Sequence, residues 1–178
     1  PEGKRTSKGT AIVNLLQLNP GEKIARTISF NTDSKENEDL KYLLFATKSG
    51  IVKKTPISDF KNINKSGLIA INLKDGDELI GVNRTNGEED IILVTENGMS
   101  IRFNENDVRA MGRTATGVKG ITLSKGDHVV SMDLISNGTD LLVVSEKGFG
   151  KRTETEEYRP QIRAGKGIKT YNINSKTG

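Results

Sequence analysis

The chain repeats itself about every fifty residues, and a repeat of that length limits the fold more than any other feature of the sequence. Three glycines mark it: Gly50 in Thr47-Lys48-Ser49-Gly50, Gly98 in Thr95-Glu96-Asn97-Gly98 and Gly148 in Ser145-Glu146-Lys147-Gly148, spaced 48 and 50 residues apart. A short apolar run precedes each glycine: Leu43-Leu44-Phe45-Ala46, Ile91-Ile92-Leu93-Val94 and Leu141-Leu142-Val143-Val144. A mixed run follows, ending in Lys54-Thr55, Arg102-Phe103 or Arg152-Thr153. Two strand-like runs around a turn that needs a glycine at positive φ predict a hairpin.

Further landmarks keep the same spacing. Gly67-Leu68-Ile69, Gly117-Val118-Lys119 and Gly167-Ile168-Lys169 form one set, with Gly9 and Ile12-Val13-Asn14-Leu15 as a looser early copy. Gly21-Glu22-Lys23, Gly76-Asp77-Glu78 and Gly126-Asp127-His128 form a charged turn before another strand-like run. One unit therefore predicts four short strands. The fold expected is all-β: four-stranded antiparallel blades of a propeller-like array, in a single domain over 1–178. Units fall at about 10–55, 68–103 and 118–153, with the start of a fourth at 168–178. A unit of this size cannot bury both faces alone, so its neighbours must cover it. Asn31–Asp39 reads as an insertion, a surface loop in the first unit.

Charge follows the repeat. Four residues after each hairpin glycine stand Lys54, Arg102 and Arg152; eleven after stand Lys61, Arg109 and Arg159; fifteen after stand Lys65, Arg113 and Arg163. The ninth position is acidic (Asp59, Asp107, Glu157) and the tenth is apolar or aromatic (Phe60, Val108, Tyr158). Lys119, Lys151, Lys166 and Lys169 lie in the same stretches and join the candidate set. Equivalent positions in a ring of like blades lie at one level, so these residues predict a cationic track. Duplex DNA offers one phosphate charge per about 1.7 Å of axis, and contacts to phosphate read no sequence. Bending 20–30 base pairs costs about 1–6 kcal/mol, which several such contacts offset. The registry alone also fits a propeller that docks an acidic protein partner. The net charge of +4 leans toward anions without choosing between them.

Other chemistries find little support. With no cysteine, a disulfide framework, thiolate zinc sites and a cysteine nucleophile are excluded. His128 is the sole histidine, and Lys23 and Glu78 occupy its place in other units, so it reads as an exposed turn residue. Glu88-Glu89-Asp90 reads as a solvated turn rather than a metal site. Gly148-Phe149-Gly150-Lys151 and Gly165-Lys166-Gly167 lack the spacing of a phosphate-binding loop, and no helix is expected after them. Tyr158 shares its position with Phe60 and Val108, which marks it as packing. No nucleophile–base arrangement stands out. No catalytic residue, metal or cofactor is expected, and no apolar run approaches the roughly 20 residues of a membrane span. The chain opens at Pro1 without a Met and stops at Gly178 part-way through a unit, which reads as a piece of something longer.

Several stretches resemble a known family. Arg109-Ala110-Met111-Gly112-Arg113-Thr114-Ala115-Thr116-Gly117-Val118-Lys119-Gly120-Ile121 is similar to a blade junction in the C-terminal domain of the DNA gyrase A protein. Ile12-Val13-Asn14-Leu15-Leu16, Asp75-Gly76-Asp77-Glu78-Leu79-Ile80-Gly81-Val82 and Gly148-Phe149-Gly150-Lys151-Arg152-Thr153 continue the likeness in order along nearly the whole chain. The family's basic, glycine-rich box does not appear. The resemblance implies a β-pinwheel, a propeller variant that exchanges strands between blades. It also implies a basic outer rim that wraps duplex DNA for the ATP-dependent, negatively supercoiling enzyme, a type IIA topoisomerase in the bacterial cytoplasm. The partners it implies are the gyrase B protein and the rest of the gyrase A protein. The equivalent domain of topoisomerase IV is the nearest alternative, and the regularity of the repeat favours gyrase.

Overall fold

The computed structural model describes residues 3–11, 14, 16, 18–28, 39–63 and 67–178. Ile12, Val13 and Leu15 of the expected early copy and most of the Asn31–Asp39 insertion lie outside them, as does Lys65. The three predicted hairpins form: β1 (Tyr42–Thr47) with β2 (Ile51–Pro56), β4 (Asp90–Thr95) with β5 (Met99–Asn104), and β8 (Asp140–Val144) with β9 (Gly150–Glu154). Each closes on its marker glycine, whose N–H reaches the carbonyl three residues back at 2.9, 3.0 and 2.9 Å. The φ angles there are 80°, 74° and 80°, a region costly for any residue with a Cβ.

The other strands flank these hairpins. β3 (Leu79–Thr85) pairs with β1 and β6 (Val118–Lys119) with β2, giving a sheet in the order β3-β1-β2-β6. β7 (Val129–Leu134) pairs with β4 and β10 (Ile168–Lys169) with β5, giving β10-β5-β4-β7. All pairings between these strands are antiparallel, and β1 and β4 shift register at the same place, Ala46/Thr47 and Val94/Thr95. β6 follows the second hairpin in sequence but completes the first sheet. Each four-stranded sheet is thus assembled across units: the fifty-residue period belongs to the sequence, and the blade takes its outer strands from further along the chain. This is the exchange of strands that the resemblance implied.

A run becomes a strand only where an edge receives it. Val118–Lys119 and Ile168–Lys169 each pair with the hairpin two units earlier, whereas the equivalent Leu68–Ile69 forms no strand. The third hairpin shows the same dependence. It stands as a two-stranded sheet, and its apolar Leu142 and Val144 are 65% and 60% exposed, although the equivalent Ile92 and Val94 are buried.

The core lies between the first two sheets. Leu44, Ala46 and Val52 from one meet Ile91, Leu93, Ile101, Phe103, Val129, Met132 and Leu134 from the other, with Val108 and Ile121 filling from the connections. A second cluster sets Tyr158 beneath Ile92 and Val94, with its hydroxyl hydrogen-bonded to Thr170 Oγ1. Tyr158 is a packing residue, as its register predicted.

The second glycine landmark is a point of close approach. A Cβ on Gly167 (φ 76°) would lie 2.2 Å from the Ser100 carbonyl oxygen, and one on Gly117 would lie 2.5 Å from that of Val52. Gly76 has nearly the same φ, 75°, but nothing lies within 4 Å of it. Gly167→Ala is therefore expected to cost about 1–3 kcal/mol more than Gly76→Ala, because only the former adds a clash to the backbone penalty. Urea unfolding of both variants measures the difference, and equal losses would mean that the inter-unit contact does not constrain this position.

Candidate nucleic-acid interface

Each hairpin's second strand runs into a tight 3₁₀ turn: Ile57–Phe60, Glu105–Asp107 and Thr155–Glu157. The residue closing that turn is the apolar tenth position. Val108 and Tyr158 are buried, and Phe60 is half-buried with its ring centroid 6.4 Å from that of Phe45. The next residue, in αR backbone at Lys61 and following the extended Val108 in the second unit, is left outside this apolar contact. Lys61, Arg109 and Arg159 are accordingly all exposed. None of the three has a side-chain hydrogen bond or ion pair among the described residues.

The fourth position behaves in the opposite way. Lys54 is buried, its Nζ 2.9 Å from the Glu105 carbonyl oxygen, 3.7 Å from Glu105 Oε2 and 5.1 Å from the Tyr42 ring centre. Arg102 places Nε and Nη2 2.8 and 2.7 Å from Asp90 Oδ2, and its Nη1 donates to the Thr155 and Tyr158 carbonyls, both at 3.1 Å. Glu105 and Thr155 are equivalent residues of successive units. A basic side chain of one unit therefore holds the 3₁₀ turn of the next. Backbone bonds join at the same residues, since Met111 N–H donates to the Lys54 carbonyl (2.8 Å) and Gln161 N–H to that of Arg102 (2.7 Å). Arg152, the third member, has only Asp140 at 3.6 Å, and its side chain is 75% exposed against 18% for Arg102. Registered charge at this position is an inter-unit clasp, which removes Lys54 and Arg102 from the predicted track.

The fifteenth position lies between these extremes. Arg113 donates from Nη1 to the Ile69 carbonyl at 3.4 Å, and Arg163 from Nε and Nη1 to the carbonyls of Asp107 and Lys119, both at 2.9 Å. A guanidinium has five N–H groups, so this tethering still leaves donors for an anion. Lys119, Lys166 and Lys169 are exposed and have no side-chain partner among the described residues; Lys151 is exposed, with Nζ 3.5 Å from the Thr170 carbonyl.

A model of the DNA gyrase C-terminal domain, beta-propeller, matches residues 1–31, 41–86, 89–136 and 139–176. The chain belongs to this family. The DNA gyrase A protein of Clostridium acetobutylicum is 57% identical over 120 residues, which are 67% of this chain and 14% of that protein. Its counterpart from Haloquadratum walsbyi is 45% identical over a stretch of the same length. The chain thus spans a small part of the gyrase proteins it resembles. Among solved structures, a DNA gyrase A C-terminal domain superposes with a TM-score of 0.82 at 32% identity, covering 97% of this chain and 56% of that one. The C-terminal domain of a DNA topoisomerase IV superposes with a TM-score of 0.81 at 34% identity, covering 90% and 49%.

Within this gyrase-family domain, some residues that matter were not visible in the repeat. Lys53 is fully buried, with Nζ donating to the carbonyls of Ala70 (2.5 Å) and Arg113 (2.6 Å) and lying 5.1 Å from the Phe45 ring centre. Its equivalents are Ile101 in the second unit and the exposed Lys151 in the third, so the register did not mark it as buried. Glu105 is a buried carboxylate that accepts from Thr85 Oγ1 and the N–H groups of Gly87 and Glu89. Asp77 and Asp127 pin hairpin turns: Asp77 Oδ1 accepts Ser49 N–H at 2.8 Å, and Asp127 accepts Thr95 Oγ1 and Asn97 N–H at 2.7 and 3.0 Å. Burial opposes ionisation of Asp77, but the donors around its carboxylate outweigh burial and lower its pKa. His128 is half-buried rather than exposed, with Nδ1 3.1 Å from Glu96 Oε2. Among the described residues no group of three or more His, Cys, Asp or Glu side chains could hold a metal ion, and no helix is long and apolar enough to cross a membrane.

Two outcomes are expected. Arg102→Ala should cost about 2–4 kcal/mol by chemical denaturation, since it removes the cation paired with the partly buried Asp90 and the charged donor to the Thr155 and Tyr158 carbonyls, whereas Arg109→Ala should stay within about 0.5 kcal/mol. Similar losses would mean that the clasp is not distinct from the exposed series. The second concerns Lys53, whose pKa is lowered from 10.5 to about 8, chiefly by burial, with Arg113 adding repulsion and Asp59 opposing. Between these two values the unfolded chain holds the proton and the folded chain does not, so raising the pH favours folding. Unfolding free energy of the native chain should rise relative to Lys53→Met between about pH 8 and pH 10.5, and parallel pH profiles would rule out this linkage.

Proposed function

We propose that this chain is a non-catalytic, duplex-DNA-wrapping module of a DNA gyrase A protein, acting with the rest of that protein and with the gyrase B protein in a bacterial cytoplasmic enzyme that introduces negative supercoils. The observation that carries the proposal is the division among the registered cations. The clasp position is consumed by the fold. The eleventh position, one residue beyond the anchor, is exposed in all three units with no partner among the described residues. Solubility alone would not require a cation at the same place each time. A surface that must meet an evenly charged polyanion around an arc would.

The contacts take phosphate and no base. Little aromatic surface is available for stacking, and the exposed donors are long cationic side chains that adapt to a backbone rather than read an edge. Lys61, Arg109 and Arg159 supply the outward contacts. Arg113, Arg163, Lys119, Lys166 and Lys169 supply charge beside them, and Arg152 and Lys151 extend it over the third hairpin. Membership of the gyrase family and superposition on a gyrase A C-terminal domain support the assignment.

Titration with a random-sequence duplex at several salt concentrations tests it. Binding should weaken steeply with salt and ignore sequence. Replacing Lys61, Arg109 and Arg159 together by Gln should reduce the slope of log affinity against log salt by roughly 2.7 and leave the melting transition in place. Arg102→Gln should instead lower stability first. A native chain that ignores duplex DNA at low salt but binds an acidic peptide would replace this reading with that of a protein-docking propeller.

A further inference from the structure

The connection over residues 159–167 carries one feature that phosphate binding does not use. Ile162 is 84% exposed, the most exposed of the large apolar side chains among the described residues. Single exposed apolar residues are common and need no function, so its setting must decide. Both sides of Ile162 are fastened, one to the second sheet and the other mainly to the segment around β6, which completes the first. Gln161 N–H donates to the Arg102 carbonyl at 2.7 Å. Arg163 is held by the carbonyls of Asp107 and Lys119. Ala164 N–H donates to the Gly120 carbonyl at 2.6 Å, and the Ala164 carbonyl accepts Thr122 Oγ1 at 2.6 Å. Ala164 also sits at φ 67°, the sole non-glycine residue with positive φ among those described. A backbone held in a costly conformation by several anchors is a rigid support, and strain of this kind concentrates where function needs a fixed geometry.

The surroundings supply a charge pattern. Arg159 and Lys166, both exposed and without a side-chain partner among the described residues, stand on either side of Ile162 in the loop, with Arg163 next to it. An apolar tip on a rigid loop between cations matches the chemistry by which proteins kink duplex DNA. The cations hold phosphates of both strands, and the apolar side chain enters the minor groove and partly unstacks one base step. The preceding connection lacks the tip, since Gly112 occupies the equivalent position and the neighbouring Met111 packs against the core.

We propose that Ile162 is a minor-groove wedge that unstacks one base step of the bound duplex, so that bending is concentrated at the second-to-third blade junction rather than spread evenly along the track. This rests on the DNA-wrapping reading above. It adds a residue that contacts bases without discriminating among them strongly, and it favours easily unstacked pyrimidine–purine steps at one point on the track.

The test uses the chain with duplexes carrying a fluorescent adenine analogue that brightens on unstacking, and end-labelled duplexes whose energy transfer reports bending. Native protein should brighten the analogue and shorten the end-to-end distance. Ile162→Ser should abolish the brightening, reduce the bend and weaken binding about tenfold, with an unchanged salt slope. Ile162→Phe should retain the brightening. Arg159→Gln should instead lower the slope. The side chain is exposed, so unchanged melting of Ile162→Ser is the check that the fold survives. Tight, salt-dependent binding by native chain and Ile162→Ser alike, with no brightening in either, would overturn the wedge and leave wrapping intact. Failure of native protein to bind duplex at all would overturn both readings.

Discussion

The structure depends on a cationic side chain that leaves one hairpin and closes on the backbone of the next unit. The first carbonyl of each 3₁₀ turn, that of Glu105 or Thr155, already accepts the N–H three residues on, and its second lone pair lies open to a neighbouring blade. A charged donor from that blade takes it with a strong bond. It does so in two ways: Lys54 on the Glu105 carbonyl with the Glu105 carboxylate nearby, and Arg102 on the Thr155 and Tyr158 carbonyls with Asp90 behind it. Each solution also neutralises the buried charge with a carboxylate. The array therefore grows by the same join at each step, and the third hairpin, with Arg152 largely exposed, shows what a unit looks like without it.

The clasp also separates structural charge from surface charge. Immediately beyond the turn, Val108 or Tyr158 is driven into the blade, and the next side chain is left exposed. Arg109 and Arg159 are thereby presented at corresponding places by the burial of their neighbours. The same connection returns over the preceding hairpin through Met111 and Gln161, which brings Arg113 and Arg163 to carbonyls of the strand-exchange region. The geometry that holds the blades together thus also sets the spacing of the exposed cations.

Much of this was legible in the residues. The hairpins, their glycine turns, the all-β class and the buried role of Tyr158 follow from local patterns that repeat, and repetition averages out accidents of any one copy. The cations were legible as a register but not as roles. Positions four and eleven look alike in sequence, yet Lys54 is buried and Lys61 exposed, because one lies on a strand facing the next unit and the other beyond an apolar anchor. Lys53 is matched by Ile101 in one unit and by the exposed Lys151 in the other, and Glu105 by Ile57 and Thr155, so the register did not mark two buried charges there. His128 was read as exposed because its register varies, whereas Glu96 and the hairpin turn half-cover it.

Local sequence set the period, the strands within each unit, the turns and the identity of the charged positions, since all of these follow from steric and apolar preferences acting over a few residues. Long-range packing decided which strands share a sheet. β6 completes the first blade from beyond the second hairpin, and Leu68–Ile69 remains irregular because strand pairing depends on an available edge rather than on the run itself. It likewise decided which cations are spent: a lysine's role is set by the carbonyls and carboxylates within reach of its Nζ, and for Lys54 those belong to Glu105, 51 positions further along the chain.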